Sequence, residues 1–418
     1  MKNDQNKFFK QIIKNLPEAN DELAFFLKKI ESIKNNLAKE IQNNQIPPLN
    51  ICQKEDDLQE IKNIASNIKK TFQKVVVLGV GGSSLGGRTL TAIKNSPEIE
   101  VIFLESIDSN TIKNNLDKID LKNSCFLVIS KSGETVETIC QTLITIEKFK
   151  NAKISNLENN FIFITGNQQS SIGKIAKKLG SKIYPHPNDI GGRFSYLTIV
   201  GLLPASLVGL DIVKIRKGAQ EILNNFITNK TDENELVQSC AAQIYLSENG
   251  FKSNVVMPYI DNLKDFTDWY RQLWAESLGK NGFGLTPINS MGTIDQHSQL
   301  QLYLDGPRDK FFTFITNKNH QFDFQINDLG DCKTLFGNKN LNQILEVEQN
   351  TTIEVLSNKK LPIRILETEK IDESVLSALM MYMFLETIII AKAKNINPFD
   401  QPAVELRKDL AKKYLHYN

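Results

Sequence analysis

Two stretches rich in glycine and hydroxyl groups stand where an apolar run gives way to a helical pattern, and such stretches can hold an anion. Residues 75–87 read VVVLGVGGSSLGG. Four apolar residues, three of them β-branched, describe a strand buried on both faces. The chain then turns through Gly82, Ser83 and Ser84 into 88–94, whose spacing is helical. Free N–H groups and hydroxyls at a helix start suit a phosphate. A turn that merely brings strand and helix close would use the same residues, and a single match is weak. Residues 130–138, SKSGETVET, repeat the plan after the apolar run 125–129. Ser130, Ser132 and Thr135 bring hydroxyls there, and Gly133 lets the backbone turn. Ser130 or Ser132 as a helix cap, completed by Glu134 or Glu137, is the plainer use. Two such turns in one sheet favour the phosphate cradle.

Candidates for proton chemistry lie downstream. Glu276 sits in a helical pattern over 269–277, with Gln272 one turn earlier on the same face. Trp274 and Leu278 offer apolar surroundings that would raise a carboxylate's basicity. A glutamate on a solvated helix face is the commoner case. Arg193 follows Gly191 and Gly192, which let the backbone approach a ligand, and a fixed cation there would stabilise a developing anion. A structural pairing with a carboxylate such as Asp189 is equally open. His297 lies in the polar turn 292–298, and histidine is the residue type suited to a proton shuttle. Lys408 closes the segment VELRK, where a solvated lysine is the ordinary outcome.

The elements that must position these groups alternate. Apolar runs at 75–78, 100–104, 125–129, 160–165 and 182–184 are separated by helical patterns such as 135–148 and 171–179. A second block has strand candidates at 254–259, 311–315, 352–355 and 363–367, with helices over 265–278, 372–394 and 401–415. Strands alternating with helices predict parallel sheets with helices on both faces, and ligands beyond the strands' carboxyl ends. The expected architecture is α/β, with two three-layer α/β/α domains. Residues 1–70 form an N-terminal helical segment, 71–210 the first domain, 211–395 the second, and 396–418 a C-terminal helix carrying Lys408.

The chain has 418 residues and a net charge of +2, so no electrostatic footprint for nucleic acid is expected. Its five cysteines are scattered without metal-type spacing, which points to a reducing cytoplasm and no metal site. The apolar stretches 194–210 and 379–390 are interrupted, by glycines and Pro204 in one and by Glu386 in the other. Both read as buried core helices, so no membrane association is expected. VGGSSLGG lacks the GxGxxG spacing of a dinucleotide site, although Glu105 stands near the place of the usual acidic residue.

The paired loops resemble the sugar-isomerase (SIS) fold. With GGRFSYL (191–197), QLWAES (272–277), QHS (296–298) and QPAVELRK (401–408) following in order, the chain resembles the glucose-6-phosphate isomerase family over about 70–415. The resemblance implies an aldose–ketose isomerase of glycolysis and gluconeogenesis, acting through a cis-enediolate without a cofactor. Glu276 would be the base, Arg193 the enediolate's stabiliser, and His297 and Lys408 the ring-opening pair. Gly82, Ser83, Ser130, the Lys131 backbone, Ser132, Thr135, Gln272 and Gln401 would bind the sugar phosphate. It also implies a homodimer in which His297 crosses the interface. Alternatives are a broader isomerase that accepts mannose 6-phosphate and a non-catalytic sugar-phosphate sensor. Ser84, Gly87 and Arg407 depart from the common Asp, Pro and Gly.

Overall fold

The structure, a computed structural model, describes residues 7–16, 20–228 and 235–417, with the backbone alone at 409, 412 and 415–417. The side chain of His416 and part of the expected N-terminal helical segment therefore lie outside the described residues. Those described form ten strands: β1 (Phe9–Lys14), β2 (Lys74–Leu78), β3 (Glu100–Leu104), β4 (Ser124–Ile129), β5 (Phe161–Thr165), β6 (Lys182–Pro185), β7 (Ser253–Pro258), β8 (Thr286–Asn289), β9 (Lys310–Asn317) and β10 (Ile363–Thr368). They make two sheets, ordered β3-β2-β4-β5-β6 and β1-β10-β9-β7-β8. Every pairing is parallel except that of β1 with β10.

Side-chain alternation sets the layers. Val75, Val77, Cys125 and Leu127 enter a central core, while Val76, Leu78, Phe126 and Val128 enter a second core on the other face. The helices Val136–Asn151 and Ser171–Leu179 cover that second core through Ile146, Phe149, Ile172 and Ala176. The other sheet divides likewise. Phe311 and Ile315 face the central core, and Phe312 and Phe314 face a third core under the helix Leu341–Asn358. Each sheet is thus the middle layer of an α/β/α unit, and the two share one core.

The helix Glu373–Ala393 runs through that shared core. It is long and apolar enough to cross a membrane, but 94% of its apolar window is buried inside the protein. Glu386, the charge that interrupts its sequence, is fully buried and paired with the equally buried Arg364 on β10. Ser239 Oγ donates to the same carboxylate at 2.8 Å, and Arg364 also donates to Thr313 at 3.1 Å. A charge in such surroundings is tolerable only with this degree of pairing.

Two local expectations are corrected, and one strand is added. Residues 9–14 form an edge strand: Phe9 and Ile12 reach different cores, and the ladder to β10 outweighs a helical spacing only six residues long. The strand candidate 352–355, β-branched except at Glu354, belongs to the helix Leu341–Asn358, which opens with a capping box of Asn340 and Gln343 and turns Ile353 and Leu356 inward. β8 went unanticipated because it is four residues long and contains Pro287, which an edge strand accepts.

Replacing Arg364 with Met should destabilise the fold by about 3–5 kcal/mol, by leaving a buried carboxylate unpaired. Removing both partners (Arg364→Met with Glu386→Leu) should recover most of that loss. Urea midpoints check this, and equal loss in the single and double variants would contradict it.

Candidate active site

β2 carries β3 on one edge and β4 on the other, so the chain leaves β2 in one direction and returns on the opposite side. The loops after β2 and β4 therefore diverge around a crevice, where parallel sheets bind ligands. The first of these loops is the glycine run and the second is 130–135. The sheet brings the two predicted cradles together.

The glycines serve a close approach between backbones. Gly81 has φ +59°, and Gly82 lies so near the next loop that a Cβ there would be 2.3 Å from the Gly192 carbonyl carbon and 2.6 Å from the Arg193 nitrogen. A Cβ at Gly86 would press on the Tyr196 side chain at 2.9 Å. The glycine loop thus seats the segment Gly192–Leu197, and with it Arg193.

Arg193 is 3% exposed, and its guanidinium uses all five N–H groups. Nη1 donates to Glu276 Oε2 at 3.2 Å and to Gln401 Oε1 at 2.8 Å. Nε donates to Ser277 Oγ at 2.8 Å, and Nη2 reaches the backbone carbonyls of Pro398 and Asp400. Burial pulls its pKa down while the Glu276 carboxylate opposes that shift. Asp189 is not the partner; its charge acts on Lys131, whose ammonium is lowered chiefly by burial.

Glu276 lies near the end of the helix Lys264–Leu278. Its other oxygen accepts from Gln272 Nε2 at 3.0 Å, so the carboxylate is held from two sides. Trp274 and Leu278 do not surround it: both are buried in the central core, roughly opposite on the helix. Gln272 Nε2 would touch a Cβ built on Gly81 at 3.0 Å, and Gln272 Oε1 is buried without a hydrogen-bond partner among the described residues.

The second loop is not a cap. Thr135 occupies the N-cap position of the helix Val136–Asn151 but makes no capping bond. Its hydroxyl instead meets the buried Ser130 Oγ at 2.9 Å, and Gly133 N donates to that same Ser130 oxygen at 3.1 Å. Glu134, the expected capping partner, binds Ser171 at 2.7 Å. Gly133 has φ +69°, and a Cβ there would lie 1.9 Å from Ser170 Oγ. Ser132 is exposed and Ser83 half-buried. Beside this loop His186 is 2% exposed, with Nε2 unpartnered among the described residues; burial pushes its pKa down to about 4.

Two predicted residues stand apart. His297 is exposed in the turn after the helix Gly292–Gln296, and its imidazole has no hydrogen-bond partner among the described residues. Lys408 lies exposed on the helix Pro402–Tyr417, its ammonium on Glu405 at 2.7 Å. Gln401, just before that helix, does join the cluster through Arg193. Of the departures, Ser84 is buried and donates to Glu105 and to the Gly81 carbonyl, while Arg407 lies 4.0 Å from Glu137. A Cβ at Gly87 would lie 3.2 Å from the Pro204 ring, which leaves little room for a larger residue. Ser277 was missed, although it is the last residue of the QLWAES motif.

A sequence model of phosphoglucose isomerases matches residues 58–417. The chain belongs to the phosphoglucose isomerase family. It is 33% identical over 396 residues to the probable glucose-6-phosphate isomerase of Methanococcus maripaludis, covering 92% of this chain and 89% of that protein. It is 35% identical over 357 residues to the glucose-6-phosphate isomerase of Campylobacter jejuni, covering 83% and 86%. Among solved structures, a glucose-6-phosphate isomerase from Chlamydia trachomatis shares the fold at TM-score 0.84 and 21% identity, over 99% of this chain and 89% of that one. A hypothetical protein from Thermus thermophilus shares it at TM-score 0.88 and 24% identity, over 97% and 100%.

Two tests follow for this cluster. Gly82→Ala should displace Arg193 and the Glu276 it holds, and if this cluster does the chemistry turnover falls by about 100-fold; a coupled assay on protein with unchanged circular dichroism measures it. His186 binds a proton less readily folded than unfolded, because its pKa falls from 6.5 to about 4. Its burden on stability is absent above pH 6.5 and grows as pH falls toward 4, at up to about 1.4 kcal/mol per pH unit. His186→Gln should flatten that part of the profile, read from urea midpoints, and an unchanged profile would contradict the assignment.

Proposed function

We infer that the chain interconverts glucose 6-phosphate and fructose 6-phosphate through a cis-enediolate, a step of glycolysis and gluconeogenesis. The observation that carries the reading is Glu276, held between Gln272 and Arg193 beside two hydroxyl-rich loops. The phosphate rests on Ser83, Ser130, Ser132, Thr135 and the Lys131 backbone, where N–H groups left uncapped at 136 add to the hydroxyls. Binding energy from this non-reacting end holds the sugar in register.

Glu276 takes the proton from one of the two reacting carbons and returns it to its neighbour, so a single base accounts for the 1,2-shift. Arg193 lies against that carboxylate and stabilises the negative charge of the enediolate. Gln401, Gly82 and the unpartnered oxygen of Gln272 meet sugar hydroxyls. His297 protonates the ring oxygen and Lys408 assists opening; Lys408 first leaves Glu405, a surface pair that is cheap to break.

His297 acts across a homodimer interface in this reading. Its exposure supports that, as do Ile294 and Leu302 on either side of it, 63% and 51% exposed, and the exposed Phe322 and Phe324 between β9 and the helix Leu341–Asn358. We place the domain division at 71–210 and 211–395, which puts one sheet in each; β1 adds to the second sheet from the N-terminal segment. Free cysteines, three of them buried, support a reducing cytoplasm. Retention of the whole Glu276 cluster favours catalysis over a sensor role. Comparing mannose 6-phosphate with glucose 6-phosphate in the same assay tests the broader isomerase.

Glu276→Gln should lower turnover of fructose 6-phosphate by several orders of magnitude while KM changes little, in a coupled assay containing EDTA. Subunits bearing Glu276→Gln, mixed with subunits bearing His297→Ala, should regain activity on exchange, because one site per hybrid is then intact. Full activity of Glu276→Gln alone would remove the base; two inactive variants that never complement would remove the shared site.

A further inference from the structure

The sequence departure at Ser84 leads to a cluster that the reaction has not so far used. Ser84 donates to Glu105, which directly follows β3, and Glu105 also takes Arg88 Nη1. Arg88 belongs to the short helix Leu85–Thr91 behind the glycine loop. Its Nη2 binds Asp268 at 2.6 Å and Asp265 at 2.9 Å. Asp268 also accepts from Asn289, the last residue of β8, at 2.7 Å, and pairs with Arg271 at 3.0 Å. Thr89 Oγ1 adds a bond to the Asp265 carbonyl at 3.0 Å. One guanidinium thus ties the glycine loop, the end of β3 and the helix Lys264–Leu278, with β8 of the second sheet joined through Asp268.

The spacing on that helix gives the knot its meaning. Asp265, Asp268, Gln272 and Glu276 follow at steps of three and four and so share one face. The N-terminal half of this face lies on Arg88, the middle lies on Gly81, and the C-terminal half lies on Arg193. The carboxylates gather at one end, where burial and the neighbouring acids push the Asp265 pKa up while Arg88 draws it down. Without Arg88 the like charges of Glu105, Asp265 and Asp268 face one another across the helix–loop contact.

We propose that Arg88 is a positioning residue for the isomerisation, setting where the helix of Glu276 sits along its axis against the glycine loop. It touches no substrate, and the inference rests on the reading of Glu276 as the base. A small axial slip leaves Ser130, Ser132 and Thr135 in place but moves the base from its proton. The effect therefore falls on kcat rather than KM.

The test compares Arg88→Gln, Arg88→Lys and the Arg88→Gln/Asp268→Asn pair in purified full-length enzyme. Arg88→Gln should lose about 10- to 100-fold in kcat with KM held within about twofold. Low-millimolar guanidinium should restore part of the loss, because the Arg88 site is partly open to solvent, and Arg88→Lys should retain more activity than Arg88→Gln. If Arg88→Gln does not fold, the double variant, with one carboxylate neutralised, carries the same comparison. Wild-type kcat in a folded variant overturns the proposal. So does a loss that follows the folded fraction and ignores guanidinium, which would make Arg88 a purely structural tie. Glu276→Gln runs alongside: if it stays fully active the base reading fails, whereas its inactivity with a fully active Arg88→Gln sinks the positioning role alone.

Discussion

A buried guanidinium needs a partner for its charge and for every N–H, and Arg193 meets that demand from several parts of the fold at once. Glu276 and Ser277 come from one helix, Gln401 and two carbonyls from the approach to the last helix, and the Arg193 backbone leans on Gly82. None of these contacts survives unless the two sheets hold their relative placement. The shared core and the helix Glu373–Ala393 enforce it, and that helix is itself anchored by the buried Arg364–Glu386 pair. The same constraint that stabilises the junction also fixes the carboxylate proposed to move the proton.

Division of labour follows from this geometry. The first sheet contributes the loops at its switch point, where hydroxyls and an uncapped helix start suit a phosphate. The second half of the chain contributes the helix bearing Gln272 and Glu276. Substrate bridging the two would be anchored at one end and worked on at the other, which is how remote binding energy serves a reacting centre. Resting contacts occupy Glu276 with Arg193 and Gln272 and leave one oxygen of Gln272 unmatched among the described residues, a natural place for a sugar hydroxyl.

Much of this was legible in the residues because strong local rules and tertiary structure agree. Strands such as 100–104 and helices such as 171–179 have the expected bounds, since buried parallel strands and amphipathic helices each show a clear period. The two loops and the four motifs after them stand in order as parts of one family pattern. Other features depended on contacts distant in sequence. The strand 9–14 exists because β10 offers an edge more than three hundred residues later, and the helical fate of 352–355 was decided by a cap twelve residues upstream. The residue types of the glycine loop point to an anion cradle, but its packing against Gly192 needs the fold to be seen. Arg88 and Glu105 carry no motif, although the i, i+3, i+7, i+11 face from Asp265 to Glu276 was already present as a signal. His297 and Lys408 were picked out by motif, and within this chain they lie exposed and apart from the Glu276 cluster.

The most direct measurement of the central claim is solvent-deuterium exchange at C1 of fructose 6-phosphate, followed by NMR in heavy water with wild type, Glu276→Gln and Lys408→Ala. If Glu276 moves the proton, Glu276→Gln loses exchange while still binding the phosphate, and Lys408→Ala, impaired only in ring opening, keeps exchanging the small open-chain fraction. Exchange at the wild-type rate in Glu276→Gln would contradict the account.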